Sequence, residues 1–149
     1  MARNAGKVIG AEIVPQAVKN AKVNAKLNGI SNVRFICADA GQAAAMLADE
    51  GNKPDVIVVD LPRKGIDQTT IDAIGKMTPD RLVYVSCDPA TLSRDIKLLA
   101  EQGYNLNRYK VFDLFPRTSQ SDFESLFCEL YLTRSCNKEV MKALSNPYR

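Results

Sequence analysis

Cys87 stands where a hydrophobic segment, residues 82–86, meets the expected start of a helix. A helix N-terminus carries partial positive charge and free N–H groups, which stabilise anions. A thiol at such a position ionises more readily and becomes a nucleophile. The alternative is that Cys87 is a small buried hydrophobe, as free cysteines often are. The junction of strand and helix favours the nucleophile.

Three carboxylates end other predicted strands, namely Glu12, Asp39 and Asp60. Because ligands of doubly wound sheets bind outside the carboxyl ends of the strands, we expect these residues and Cys87 at one edge. Glu12, after what resembles a second strand, can accept hydrogen bonds from both hydroxyls of a ribose. Asp39 can accept one from an adenine amino group. Together they predict a cofactor that contains adenosine.

Each carboxylate also has a structural alternative. Glu12 can be a solvated strand end, and Asp39 taken alone is better interpreted as the N-cap of the next helix. Asp60 is more specific, because a carboxylate that ends a fully apolar strand is rarely there for packing. Arg63 and Lys64, which follow it, either contact phosphates or form a solvated turn.

Short apolar segments alternate with helical patterns along most of the chain. The strands are expected at 8–12, 33–37, 55–60 and 81–86, and the helices at 15–28, 43–47, 69–77 and 89–102. Two further extended segments, 104–113 and 125–133, have no helix between them and should pair antiparallel. The pattern predicts an α/β, Rossmann-like sheet that is mostly parallel, with helices on both faces and an antiparallel C-terminal hairpin.

The predicted sheet lacks one expected part. A nucleotide-binding sheet of this type begins with a strand that runs into a glycine-rich turn, and the chain has no such segment. Its first strand ends instead on Glu12, the acidic residue that belongs to the second strand of the fold. We therefore expect the first strand and the glycine-rich loop to be missing. The unpaired edges would then recruit another chain, such as a second copy.

Composition limits the chemistry further. A chain of 149 residues with net charge +3 is the size of one domain, and its charge neither proves nor opposes a nucleic-acid partner. It has four cysteines, no C-x-x-C pair and no histidine, which argues against a zinc site and excludes histidine catalysis. No apolar segment approaches the roughly 18 residues of a membrane span, and no signal sequence is evident. The default expectation is a cytoplasmic protein without a membrane partner.

Four ordered motifs resemble one known family, the RNA uracil-C5 (5-methyluridine) methyltransferases, which depend on S-adenosylmethionine. Residues 85–95, VSCDPATLSRD, resemble the nucleophile motif of that family. Residues 60–65, DLPRKG, match its D-P-P-R-x-G loop, and 115–119, FPRTS, partly match its F-P-x-T-x-H-x-E segment. Residues 8–18 resemble its acidic cofactor-binding strand and helix. The likeness covers roughly residues 5–133 and leaves 134–149 as a tail.

The resemblance implies a reaction for these residues. Cys87 would add to carbon 6 of uracil in ribosomal or transfer RNA, and Glu12, Asp39 and Asp60 would bind S-adenosylmethionine. A carboxylate would then remove the proton on carbon 5.

Two residues compete for the role of this base. Counting forward from Thr118 places the family's glutamate at Asp122, and counting back from the last strand places it at Glu124. We prefer Glu124 because a strand anchors geometry better than a loop does. The alternative is that both are ordinary polar loop residues.

The chain departs from the family pattern in three places. Leu61 replaces the first proline of the D-P-P-R loop, the glycine-rich cofactor loop is absent, and so are the upstream segments that carry an RNA-binding β-barrel and, in some members, an iron–sulfur cluster. A second hypothesis is therefore a truncated, inactive methyltransferase that acts at most as a weak RNA-binding or assembly module. A third, an amino-group methyltransferase that uses the Asp60 loop, gives Cys87 no task.

Overall fold

The structure, a computed structural model, describes residues 1–60, 63–113 and 126–134. Its helices and strands alternate in the predicted order. The strands are β1 (Val8–Glu12), β2 (Val33–Cys37), β3 (Val56–Asp60), β4 (Arg81–Ser86), β5 (Tyr104–Asp113) and β6 (Leu126–Arg134). The helices are α1 (Pro15–Leu27), α2 (Ala40–Asp49), α3 (Gln68–Met77) and α4 (Pro89–Glu101), after a short 3-10 turn at Ala2–Asn4.

Local signals explain most of the element ends. Pro15 occupies the first position of α1, where its missing N–H has no intrahelical partner to lose, and the chain leaves α1 through Gly29 at φ +65°. Asp88 caps α4 and Pro89 opens it, so the helix begins at the predicted residue 89. Helix α2 is longer than the predicted 43–47, because Asp39 caps it and the alanine-rich segment extends to Asp49.

The strands form two separately hydrogen-bonded sheets. Strands β1 and β2 pair in parallel, and the other four follow the order β3-β4-β6-β5, with β6 antiparallel to both of its neighbours. In a doubly wound sheet of order 3-2-1-4-5, the first strand joins these two halves. Within the described part of the chain, no strand pairs with the free edges of β1 and β3. The predicted α/β arrangement of mostly parallel strands with an antiparallel C-terminal hairpin is thus confirmed. That the first strand is missing stays a prediction.

The core lies on one face of the four-stranded sheet, against α3 and α4. Its members are apolar side chains at most 8 % exposed: Val59, Ile66, Ile71, Ile74, Leu82, Tyr84, Leu92, Leu99, Tyr104, Cys128, Leu130 and Leu132. On the opposite face of β3, Val56 and Val58 are 36 % and 42 % exposed. The prediction of helices on both faces of the sheet is therefore wrong at β3 for the described residues, since no described helix covers those two valines.

None of the described helices is long and apolar enough to span a membrane. Of the predicted tail at 134–149, the structure describes only Arg134, which ends β6; residues 135–149 lie outside the described residues.

Candidate active site at the carboxyl ends of the strands

Cys87 is half-buried in the turn between β4 and α4. The hydroxyl of Ser86 shapes this turn, because its Oγ accepts from the Asp88 N–H at 3.1 Å and donates to the Asp88 carbonyl at 3.0 Å. Ser86 is itself only 5 % exposed. The backbone on either side of Cys87 is therefore fixed by one buried side chain. Ser86 was not among the predicted site residues, although a serine two residues before a helix cap is a known turn former.

The side chain of Asp88 occupies the N-terminus of α4, where the Cys87 thiol was expected. Its Oδ1 accepts from the Ala90 N–H at 2.9 Å, and its carbonyl accepts from the Thr91 hydroxyl at 3.2 Å. A carboxylate thus takes one of the free donors of the first turn. Cys87 lies beside the positive end of α4 but shares it with this negative charge. That the helix ionises the thiol stays a prediction.

Asp60 lies at the same edge as Cys87. It is exposed at the end of β3 and pairs with Val85 in the parallel register, two residues before Cys87. Neighbouring strands are about 4.8 Å apart, so these two predicted site residues sit on adjacent strand ends. The two residues that follow Asp60, Leu61 and Pro62, lie outside the described residues.

Glu12 and Asp39 are brought together by the β1–β2 pair. Glu12 is opposite Cys37 in the register, and its carbonyl accepts from the Ala38 N–H at 3.2 Å. The Glu12 Oε1 accepts from the Val14 N–H at 2.8 Å, and the Asp39 Oδ1 accepts from the Gln42 N–H at 2.8 Å. The structure therefore confirms Asp39 as the N-cap of α2.

The second oxygen of each carboxylate remains available to a ligand. Neither the Glu12 Oε2 nor the Asp39 Oδ2 has a hydrogen-bond partner within the described ranges. Glu12 is exposed and Asp39 is half-exposed. Both side chains are thus held by one oxygen and can present the other to hydroxyl or amino groups at this edge.

Asp67, which was not predicted from the sequence, lies where the N-termini of α2 and α3 meet. Its Oδ1 accepts from the Thr70 N–H at 2.7 Å and so caps α3. A Cβ atom on Gly41 would lie 3.0 Å from the Asp67 Oδ2 and 3.4 Å from the Asp39 Oδ1. The N-termini of α2 and α3 are therefore packed side by side. An aspartate directly before a helical pattern is the signal that would have identified Asp67 as a cap.

The loop that follows Asp60 is fastened to α4 through Asp95. This carboxylate is 0 % exposed. Its Oδ2 accepts from the Tyr84 hydroxyl at 2.7 Å and from the Ile66 N–H at 2.8 Å, and its Oδ1 accepts from the Arg94 Nε at 2.8 Å. The Arg94 Nη2 also donates to the Lys64 carbonyl at 2.8 Å. Burial, and then the hydrogen bond to Asp95, raise the pKa of Tyr84, so this phenol stays protonated as a donor.

The predicted base lies outside the described residues. This applies to Glu124, to its competitor Asp122 and to the 115–119 motif. An open groove of about 380 Å³ is lined by Lys22, Lys26 and Phe35. It lies where α1 ends and β2 begins, at the opposite ends of the strands from Cys87, and takes no part in the candidate site.

Comparisons with known proteins identify the chain's relatives. The family model described as tRNA (uracil-5-)-methyltransferase matches residues 1–134. An uncharacterized RNA methyltransferase of Clostridium acetobutylicum is 48 % identical over 118 residues, which are 79 % of this chain and 26 % of that protein. One from Lactiplantibacillus plantarum is 49 % identical over 119 residues, with the same shares. The chain spans about a quarter of the length of these relatives.

Solved structures show the same arrangement of elements. The tRNA (uracil-54, C5)-methyltransferase of Pyrococcus abyssi, in complex with S-adenosyl-L-homocysteine, is 25 % identical with a TM-score of 0.69, over 89 % of this chain and 30 % of that one. The precorrin-6y C5,15-methyltransferase of Geobacter metallireducens, at 19 % identity and a TM-score of 0.61, covers 86 % of this chain and 67 % of its own and shows the fold alone. With the strand ends, the turn at Cys87 and the family match in agreement, the chain belongs to the tRNA (uracil-5-)-methyltransferase family.

Proposed function

We propose that this chain is the catalytic part of an enzyme that methylates carbon 5 of uracil in transfer or ribosomal RNA, with S-adenosylmethionine as methyl donor. The observation that carries the proposal is the position of Cys87. It is half-buried at the end of β4 beside Asp60, in a turn that Ser86 fixes, within a chain of the uracil-5 methyltransferase family. The activity is assigned to the whole protein, of which this chain would form the catalytic portion.

The chemistry gives Cys87 a definite step. Carbon 5 of uracil is a poor nucleophile until a thiolate adds to carbon 6, which forms a C–S bond and places an electron pair on the C5–C4–O4 enolate. S-adenosylmethionine bound at this edge would supply an electrophilic methyl group for carbon 5, and its sulfur would leave as the thioether of S-adenosylhomocysteine. A base then removes the carbon 5 proton, the C5–C6 double bond forms again, and the C–S bond breaks to release Cys87.

The carboxylates at the sheet edge fit the adenosine part of the cofactor. Glu12 and Asp39 each keep one oxygen without a partner among the described residues, and the β1–β2 register places Glu12 opposite Cys37, two residues before Asp39. Ribose hydroxyls and an adenine amino group are donors, which such oxygens accept. We assign Glu12 to the ribose, Asp39 to the adenine and Asp60 to the part of the cofactor nearest to Cys87.

A serine at position 39 separates the two roles of that residue. Asp39→Ser keeps a good N-cap, so the free energy of unfolding should change by less than about 0.5 kcal/mol, whereas Asp39→Ala should cost about 1 kcal/mol. The shorter serine loses the reach to the adenine, and calorimetry with S-adenosylmethionine should show a Kd raised about ten-fold. An unchanged Kd in the serine variant would restrict Asp39 to capping α2.

Removing the base should leave the RNA attached to the protein. Glu124→Gln preserves addition of Cys87 and methyl transfer but not removal of the carbon 5 proton, so a covalent complex with ordinary uridine RNA should accumulate on denaturing gels. The matched variant Asp122→Asn should release its product as the unsubstituted protein does. Accumulation in the Asp122 variant instead would exchange the two assignments, and accumulation in neither would remove both residues from the role.

One observation favours a second candidate, an assembly module without cofactor. One edge of β1 and one edge of β3 pair with no strand in the described part of the chain, and another strand, including one from a second copy, can pair there. Calorimetry with S-adenosylmethionine separates the candidates, because saturable binding supports the enzyme. The assembly module is supported if the protein does not bind S-adenosylmethionine and sedimentation velocity shows a dimer. The substitution Val58→Lys, at an exposed position, should then disrupt that dimer.

A further inference from the structure

Asp95 is placed to do more than stabilise the core. Burying a carboxylate costs desolvation energy, which hydrogen bonds and an ion pair must offset, and an apolar side chain of similar size is often equally stable. The buried Asp95 carboxylate accepts hydrogen bonds from groups on three elements. These are the Tyr84 hydroxyl of β4, the Ile66 N–H of the loop after β3, and the Arg94 guanidinium of α4. Such a residue fixes how those elements sit relative to one another.

The loop approaches α4 closely because of Gly65. Both neighbours of Gly65 are held, Lys64 by its carbonyl to Arg94 and Ile66 by its N–H to Asp95. Gly65 adopts φ +76°, and a Cβ there would collide with the Asp95 carboxylate and lie 2.6 Å from the Arg94 Nη2. The absence of a side chain at Gly65 therefore permits the contact that Asp95 and Arg94 make.

This contact connects the two strand ends of the candidate site. Asp95 lies six residues after Pro89, about 9 Å along α4 from the helix start that follows Cys87. The loop that it holds continues from Asp60 at the end of β3. We propose that Asp95 and Arg94 are positioning residues, which hold loop 63–66 against α4 and thereby set Asp60 and its loop relative to Cys87. The expected effect on catalysis rests on the proposed function. The anchoring of the loop rests on the observed contacts alone.

Two substitutions test the proposal, with one matched control. Asp95→Asn keeps the volume and one acceptor but loses the charge that Arg94 meets, and Arg94→Gln removes the donor to the Lys64 carbonyl from a half-exposed side chain. Glu101→Gln changes an exposed acid at the end of the same helix and should behave as the unsubstituted protein. In both test variants, hydrogen exchange of the Ile66 amide should accelerate about ten-fold relative to that of the Leu82 amide in β4.

The catalytic arm uses RNA that carries 5-fluorouridine, whose fluorine cannot leave carbon 5 as a proton does. The single-turnover rate of covalent complex formation should fall about ten-fold or more in both test variants, because displacement of reacting groups lowers the rate of the chemical step. The RNA concentration that gives half of the maximal rate should stay within about two-fold. Glu101→Gln should keep the full rate. Arg94→Lys should recover part of the lost rate, since it restores a charge and a donor.

The outcomes of these experiments distinguish the positioning role of Asp95 and Arg94 from the proposed function. Unchanged Ile66 exchange, or faster exchange with an undiminished rate of complex formation, overturns the positioning role. Equal acceleration of Ile66 and Leu82 also overturns it, because that result describes global destabilisation. If the unsubstituted protein forms no complex, the proposed function fails, and the exchange ratio alone decides whether Asp95 and Arg94 hold the loop.

Discussion

Cys87→Ala should abolish methyl transfer to RNA, with kcat/KM reduced by at least about a thousand-fold, as expected when a covalent nucleophile is removed. The alanine variant cannot add to carbon 6, so carbon 5 never becomes nucleophilic. Cys87 is half-buried in an ordered turn, so its substitution should leave the free energy of unfolding nearly unchanged. The measurement is the rate of tritium release from carbon 5 of labelled uridine RNA.

Two other cysteines provide matched controls. Cys37 is an exposed thiol at the end of β2, whose Sγ lies 3.8 Å from the Ile13 carbonyl. Cys128 is buried in β6, and burial raises the pKa of its thiol, which keeps it protonated. Cys37→Ala and Cys128→Ala should both retain activity within a few-fold. Full activity in the Cys87 variant, or loss of activity in the Cys37 variant, would contradict the assignment of the nucleophile.

Gly65→Ala should destabilise the protein by about 3 kcal/mol, the sum of left-handed backbone strain and a steric collision. At φ +76° an alanine is strained, and its Cβ would collide with the buried Asp95 carboxylate. The loop must then move away from α4, which breaks the hydrogen bonds at Lys64 and Ile66. Urea unfolding at equilibrium measures the change.

Gly51→Ala isolates the collision from the strain. Gly51 has nearly the same φ, +73°, but a Cβ there meets nothing within 4 Å. It should cost about 1 kcal/mol, the strain alone. In the double variant Gly65→Ala/Asp95→Ala the carboxylate is gone, so the combined loss should be smaller than the sum of the two single losses by about 1 kcal/mol or more. Equal losses at Gly65 and Gly51, with additivity in the double variant, would show that the loop does not depend on close contact with Asp95.

The elements were predictable because their signals are local. Asp88 and Pro89 start α4 and Gly29 follows α1, and each acts through residues within one helical turn of itself. Only the length of α2 was underestimated, because the cap at Asp39 was weighed as an alternative rather than used to place the helix start.

The contacts that assemble the site were not predictable in this way. Lys64 and Ile66 meet Arg94 and Asp95 across 30 and 29 residues of sequence, and no local pattern reports such a pairing. Arg94 and Asp95 stood at the end of the motif that carried the family resemblance, yet only the structure shows what they hold. The exposure of Val58 was also not predicted, because the sequence pattern of an apolar strand does not show whether a helix covers it.

The proposed mechanism depends most directly on which atom of the protein becomes bonded to uracil. Incubation of the protein with S-adenosylmethionine and RNA that carries 5-fluorouridine, followed by nuclease and trypsin digestion and mass spectrometry, identifies that atom. We expect a methylated fluorouridine adduct at Cys87, on the peptide of residues 82–94, LVYVSCDPATLSR. An adduct on another peptide, or methylated uridine produced from ordinary RNA without any trapped adduct, would contradict it.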